Sequence, residues 1–165
     1  MIPRWEIRAY PFLVAAYPAL ALLAANALGV CDDACQMATA FAKTHKRAGR
    51  RLIEHQLVQL RVNEMHALTE ALRSYVMRVA WQHDRKEHSA NAGLVMNWST
   101  DVIQRVTRLN MEIHGAEGCM MIARVDKLVR DAMVWTHLAG DTVQRVKVLR
   151  RLDKGLRAVM GANAD

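Results

Sequence analysis

The sequence predicts an all-α protein, an up-and-down antiparallel bundle of about five helices, and three observations support this. Good helix formers such as Ala, Leu, Met, Arg, Gln and Glu dominate the chain. Apolar residues recur at three- and four-residue intervals, which is the spacing of one helix face. Only 5% of the 165 residues are aromatic, whereas strands favour aromatic and β-branched residues. We expect one domain over residues 1–165, with an irregular or partly ordered segment at 1–18, a bundle at 19–159 and a frayed tail at 160–165.

The first helix is predicted over about Ala19 to Thr44. An uncharged run from Ala9 to Cys31 is long enough to cross a bilayer, and its Ala-Asn-Ala sequence resembles a signal-peptidase site. However, Pro11 and Pro18 interrupt the run, and much of it is weakly apolar Ala. A buried helix of a soluble, cytoplasmic protein is therefore favoured over an anchor or a signal peptide.

Small residues inside this helix indicate packing rather than chemistry. Gly29 predicts close approach of a second helix. Cys31 and Cys35 lie four residues apart on one face, and with Cys119 the cysteine count is odd, which argues against a disulfide framework. Because no further ligand stands at zinc spacing, buried, reduced thiols are expected.

Two long helices follow a basic connection. Helix 2 is predicted over about Glu54 to His83, and its apolar stripe consists of Leu57, Leu60, Met65, Leu68, Leu72, Tyr75 and Val79. A polar turn, Asp84 to Ser89, precedes helix 3. The stripe of helix 3 consists of Ala92, Val95, Ser99, Val102, Val106, Leu109 and Ile113. This alternating spacing is typical of long helices that pack nearly antiparallel.

Two shorter helices complete the predicted bundle. The glycines of the sequence HGAEG, His114 to Gly118, end helix 3. Helix 4 is predicted over about Met121 to Thr136. Asp141 or Thr142 would cap a fifth helix that runs to about residue 159.

The net charge of +7 favours an anionic partner, such as nucleotide phosphates, nucleic acid or a membrane surface. No nucleic-acid motif is present, so nucleic acid is not expected. A dense basic cluster on the helix 1–2 connection is the better phosphate candidate: Lys43, His45, Lys46, Arg47, Arg50 and Arg51. A second cluster along helix 5 is interpreted as a solvated face: Arg145, Lys147, Arg150, Arg151, Lys154 and Arg157.

No metal site is expected. His83 and His88 flank a polar turn, and their spacing matches no compact zinc signature. His55 and His66 lie about three helical turns apart, too far to share a ligand.

Four motifs in order give the chain a resemblance to the C-terminal helical domain of the acyl-CoA dehydrogenase family, over roughly Pro18 to Leu156. The family has R-x-x-F-G followed by L, E and Q where this chain has HKRAGRRLIEHQ. It has AAW where RVAW ends at Trp81, and Q-I-x-G-G-x-G where EIHGAEG stands. Its V-E-K-L-x-R-D-A segment matches VDKLVRDA, Val125 to Ala132.

The resemblance implies a flavoprotein fold and a role in fatty acid metabolism. Family members carry an N-terminal helical domain, a middle β-domain and this helical domain. They use FAD to remove two hydrogens from an acyl-CoA, and they usually form tetramers. Their flavin lies between the middle and C-terminal domains, with help from a neighbouring subunit. FAD is therefore expected here only if it is shared with a partner, which would be a second copy or a full-length family member, and acyl-CoA is a possible ligand.

The resemblance places no catalytic base in this chain. The family's Glu, which takes the α-proton of the acyl-CoA, maps to Ala139, and the alternative position on helix 1 maps to Ala19. Asp141 lies two residues beyond the Glu position and is interpreted as a helix cap rather than a displaced base.

The flavin contacts implied by the family are altered in this chain. The candidate cofactor-binding residues are His45, Lys46, Arg47, Glu112, Gly115, Ala116 and Thr142. His45 replaces the family's Arg, Ala48 its Phe, Glu112 its Gln and Ala116 its second Gly. The turn and packing positions are kept, namely Gly49, Gly115, Gly118, Arg130 and Asp131.

Three functions are compatible with this pattern. The first is a non-catalytic or partner-dependent subunit that contributes to a flavin or acyl-CoA site and to oligomerisation. The second is a fragment of an FAD-dependent acyl-CoA dehydrogenase. The third is a free-standing helical module for an anionic ligand or membrane surface, although membrane contact is not expected.

Overall fold

The computed structural model describes residues 4–86, 91–120, 123–138 and 145–146. Its helices are α1 (Arg4–Thr44), α2 (Gln56–Asp84), α3 (Asn91–His114) and α4 (Val125–Leu138). A hairpin of two short strands, β1 (Lys46–Arg47) and β2 (Arg50–Arg51), follows α1, and 3₁₀ turns cover Leu52–Glu54 and Gly115–Cys119. The predicted all-α bundle is confirmed. Most of the predicted fifth helix lies outside the described residues, apart from a helical pair at 145–146.

Helix α1 begins at Arg4, so the prediction of a start at Ala19 and an irregular segment before it was wrong. The helix runs through both Pro11 and Pro18 over 41 residues. Each proline removes one backbone N–H donor and crowds the carbonyl four residues earlier. These costs are local, and the helix nevertheless continues through both positions.

The length and apolarity of the described helices decide whether any of them could cross a bilayer. None of them, within the part of the chain that the structure covers, is both long enough and apolar enough to cross a membrane.

Helix α3 lies at the centre of the bundle. All seven residues of its predicted stripe are buried, as expected. A second row of α3 is buried as well: Met96, Thr100, Ile103, Thr107, Asn110 and His114. The hydroxyl of Thr100 donates to the carbonyl of Met96 at 3.1 Å, and that of Thr107 to Ile103 at 2.8 Å. These bonds satisfy the hydroxyls locally, so that polar residues can line the core.

The stripe predicted for α2 is only partly correct. The buried residues are Val58, Met65, Thr69, Leu72, Val76 and Val79. Leu57 is 59% exposed and Leu60 is 66% exposed, against prediction. The buried row repeats every seven residues from Val58, whereas the same repeat from Leu57 passes through polar Glu64 and Arg78. The first turn of α2 therefore directs its leucines outward.

Polar contacts fix α2 and α4 against α1. Arg73 donates to Asp32 at 2.6 Å across the α1–α2 interface, and Trp135 of α4 donates its indole N–H to the carbonyl of Leu23 at 3.4 Å.

Cys31 and Cys35 are buried and free, as predicted. Burial raises the pKa of Cys31 to about 12, so this thiol stays protonated at neutral pH. Cys119 is exposed, which differs from the expectation.

Gly29 does not mark a close helix contact, because a Cβ built there meets no atom within 4 Å.

Gly29→Ala should raise the free energy of unfolding by about 0.5–1 kcal/mol, since alanine has the higher helix propensity at this solvent-exposed position within α1. Urea unfolding followed by circular dichroism measures this change. A loss of stability would show that a partner approaches this face.

Candidate functional site

The hairpin after α1 forms one wall of the candidate site. Ala48 and Gly49 have φ values of 50° and 79°, which is the pattern of a type I′ turn. The turn pairs Lys46 with Arg51 and Arg47 with Arg50. The N–H of Leu52 donates to the carbonyl of His45 at 2.9 Å and closes the hairpin. The sequence predicted a basic connection between the first two helices, but it did not predict that this connection forms the two strands of a hairpin.

The 3₁₀ turn Gly115–Cys119 forms the opposite wall. Gly115 has a φ of 59°, a left-handed value that glycine adopts at little cost, and it ends α3 where predicted. Gly118 is buried, and a Cβ added there would lie 3.0 Å from both the Cβ of His114 and the carbonyl oxygen of Met111. The turn therefore lies directly against the end of α3.

A pocket of about 180 Å³ separates the two walls. Its lining residues are Phe41, His45, Lys46, Arg47, Leu52, Ile113, His114, Gly115, Ala116 and Glu117. Five of the seven residues proposed from the sequence as cofactor contacts are in this lining: His45, Lys46, Arg47, Gly115 and Ala116. The fold thus brings together two motifs that are about 70 residues apart in the chain.

The other predicted site residues are not in the lining. Glu112 forms an ion pair with Arg61 of α2 at 3.0 Å instead of facing the pocket. Ala19 is an exposed residue of α1. Ala139, Asp141 and Thr142 lie outside the described residues, so their roles stay predictions.

The aromatic rings of Phe41, His45 and His114 stack along the pocket, and the sequence did not predict this stacking. The ring of Phe41 stacks on His45 with centroids 3.8 Å apart and lies 4.1 Å from the ring of His114. Burial lowers the pKa of His114, whose Nδ1 donates to the carbonyl of Asn110 at 2.9 Å. His114 is therefore neutral near pH 7 and serves as an aromatic surface. The only signal for it in the sequence was its place directly before Gly115.

The charges of the pocket lie at its mouth. His45, Lys46 and Arg47 are exposed cationic or ionisable groups of the hairpin wall. Glu117 of the opposite wall faces two of them. Its Oε2 lies 3.7 Å from Nε2 of His45, and its Oε1 lies 4.0 Å from Nη2 of Arg47. This arrangement can bind an anion, but it presents no paired nucleophile and base.

In the described part of the chain, no group of three or more His, Cys, Asp or Glu side chains is arranged to hold a metal ion. His83 is exposed, as expected for a solvated turn, and His88 lies outside the described residues.

Comparisons with known proteins match the family that the sequence motifs resemble. The family model of the acyl-CoA dehydrogenase C-terminal domain matches residues 20–152 of this chain. The chain is 26% identical over 134 residues to the probable acyl-CoA dehydrogenase YngJ of Bacillus subtilis, covering 80% of this chain and 35% of that protein. It is 25% identical over 134 residues to cyclohexane-1-carbonyl-CoA dehydrogenase of Geobacter metallireducens, with the same coverage.

Solved structures show the same fold. Butyryl-CoA dehydrogenase from Megasphaera elsdenii aligns with a TM-score of 0.77 at 25% identity, covering 81% of this chain and 35% of that one. An acyl-CoA dehydrogenase from Geobacillus kaustophilus aligns with a TM-score of 0.83 at 24% identity, covering 87% of this chain and 38% of that one. The chain thus spans about a third of the length of these relatives.

Proposed function

Because this chain belongs to the acyl-CoA dehydrogenase family, whose C-terminal domain it matches over residues 20–152, we propose that it is a non-catalytic or partner-dependent subunit. Its role is to supply the diphosphate-binding part of a flavin site and to support oligomerisation. The observation that carries this proposal is the convergence of the basic hairpin and the glycine turn on one pocket. The family depends on FAD.

The pocket suits one part of a dinucleotide. Its volume of about 180 Å³ is smaller than the ~300–1,000 Å³ of pockets that enclose a drug-sized ligand. Lys46 and Arg47 supply positive charge for phosphate oxygens, and the turn that begins at Gly115 brings backbone close to the ligand. The rest of the flavin must contact another chain or domain. Bound FAD would supply the electron acceptor, whereas these residues would only bind and orient its phosphates.

The absence of a base at Ala19 supports a non-catalytic role. A methyl side chain cannot remove the α-proton of an acyl thioester, and the same prediction stands for Ala139. The chain packs with a second copy or with a full-length family member, in a cytoplasmic assembly, and only the full-length member would bring the base. If the sequence is instead part of a longer flavoenzyme, the pocket keeps the same role, so one test serves both cases.

Titration of the ¹⁵N-labelled chain with ADP, which carries the diphosphate of FAD, tests the site. Amide shifts should concentrate in residues 41–52 and 113–118, because these stretches line the pocket. Adenosine, which lacks phosphates, is the control and should leave those amides unchanged. Shifts confined to other regions, or no saturable shifts, would overturn the proposed site.

A second measurement tests the non-catalytic role. The purified chain with added FAD and butyryl-CoA should show no bleaching of flavin absorbance under anaerobic conditions. Bleaching by this chain alone would overturn the partner-dependent role, since it would require a base within the chain.

A further inference from the structure

We infer that Glu117 regulates this pocket as an internal counter-ion: its carboxylate lies between His45 and Arg47, where it competes with an external phosphate for the guanidinium of Arg47. The inference rests on the proposed diphosphate site. A phosphate must displace or outcompete this carboxylate before it can pair with Arg47.

The geometry of Glu117 matches that of a bound anion. Its two carboxylate oxygens face different basic side chains, Oε2 towards His45 at 3.7 Å and Oε1 towards Arg47 at 4.0 Å. The residue itself lines the pocket, on the wall opposite the hairpin. One anionic group therefore already bridges the two walls. An incoming phosphate would experience repulsion from a like charge at contact distance.

The carboxylate is held loosely enough to move. Both distances exceed the usual 2.7–3.2 Å range of a direct hydrogen bond by about 0.5 Å or more. The Glu117 side chain is 44% exposed, so water can solvate it when it leaves the pocket. Its backbone is fixed, since the carbonyl of Glu117 accepts from Met120 at 3.1 Å and the adjacent Gly118 packs on α3. Only rotation of the side chain is needed to open the pocket.

Glu112 is a second acidic residue near this end of α3, and it provides a matched control. It carries the same charge, but Arg61 of α2 holds it at 3.0 Å and it does not line the pocket. Glu112→Gln and Glu117→Gln change the net charge of the protein equally. A difference between the two variants therefore reports position rather than overall charge.

The test is isothermal titration of ADP into the full chain and into the two variants at fixed ionic strength. Glu117→Gln should tighten ADP binding by roughly five- to tenfold, because it removes a negative charge beside the phosphates. Glu112→Gln should change the affinity by less than about twofold, as expected for a charge that is paired with Arg61 outside the pocket lining and screened by solvent. In Glu117→Gln/Arg47→Gln, most of the gain should disappear, because the released cation is absent.

The outcomes separate the two proposals. Equal affinities of the wild type and Glu117→Gln, or a larger gain in Glu112→Gln, would overturn the counter-ion role while leaving the diphosphate site intact. Absence of ADP binding in all variants would overturn the diphosphate site and the counter-ion role together. Circular dichroism confirms that each variant is folded before titration.

Discussion

Leu72→Ala is expected to lower the free energy of unfolding by about 2–5 kcal/mol, because it removes buried methyl groups and leaves a cavity in the core. Leu72 is 0% exposed and lies on the buried row of α2. The loss should appear as a lower urea midpoint in far-ultraviolet circular dichroism, with the slope of the transition unchanged.

Leu60→Ala is the matched control, since it makes the same chemical change on the same helix. Leu60 is 66% exposed, and its truncation should alter stability by no more than about 0.5 kcal/mol. The sequence pattern places both leucines in one stripe, whereas the structure separates them. Similar losses of stability in the two variants would contradict the burial of Leu72 and the exposure of Leu60, and would support the predicted stripe.

This contrast shows how far helix periodicity determines the fold. The stripe of α3 was predicted at every position because an uninterrupted helix carries it from Ala92 to Ile113. The prediction for α2 was wrong only at the start of the helix, which follows the 3₁₀ turn Leu52–Glu54. The second buried row of α3 was not predictable from polarity, because Thr100 and Thr107 enter the core by bonding to their own helix.

The start of α1 shows a different limit. Pro11 and Pro18 interrupt the uncharged run, and Pro18 directly precedes the predicted helix start at Ala19, since proline often marks a helix boundary. A proline within a helix has a local energetic cost, but that cost alone does not decide where a helix of this length begins. In the structure, α1 runs from Arg4 through both prolines to Thr44.

The pocket was predictable in its members but not in its geometry. The dense basic cluster between the first two helices indicated His45, Lys46 and Arg47, and the family resemblance indicated the same residues and the turn at Gly115. Two-residue strands are too short to give an alternating pattern, so only Gly49 signalled the hairpin. The direction of Glu112 depends on an arginine of another helix, which no local pattern in α3 specifies.

Gly118→Ala should lower the free energy of unfolding by about 1–3 kcal/mol, as expected for overpacking at a site without free volume. The added Cβ would lie 3.0 Å from the carbonyl oxygen of Met111 and 3.0 Å from the Cβ of His114. Neither atom is the end of a flexible side chain, so the 3₁₀ turn itself must shift. Urea unfolding measures the stability loss.

The same shift should affect the pocket, because the turn carries Gly115, Ala116 and Glu117 into its lining. ADP binding to Gly118→Ala should therefore weaken under conditions where the variant is folded. Gly29→Ala separates this effect from a general response to replacing glycine, since its Cβ enters open space and stability should rise. A Gly118→Ala protein as stable as the wild type, with unchanged ADP affinity, would show that the turn is free to move and that its contact with α3 does not position the site.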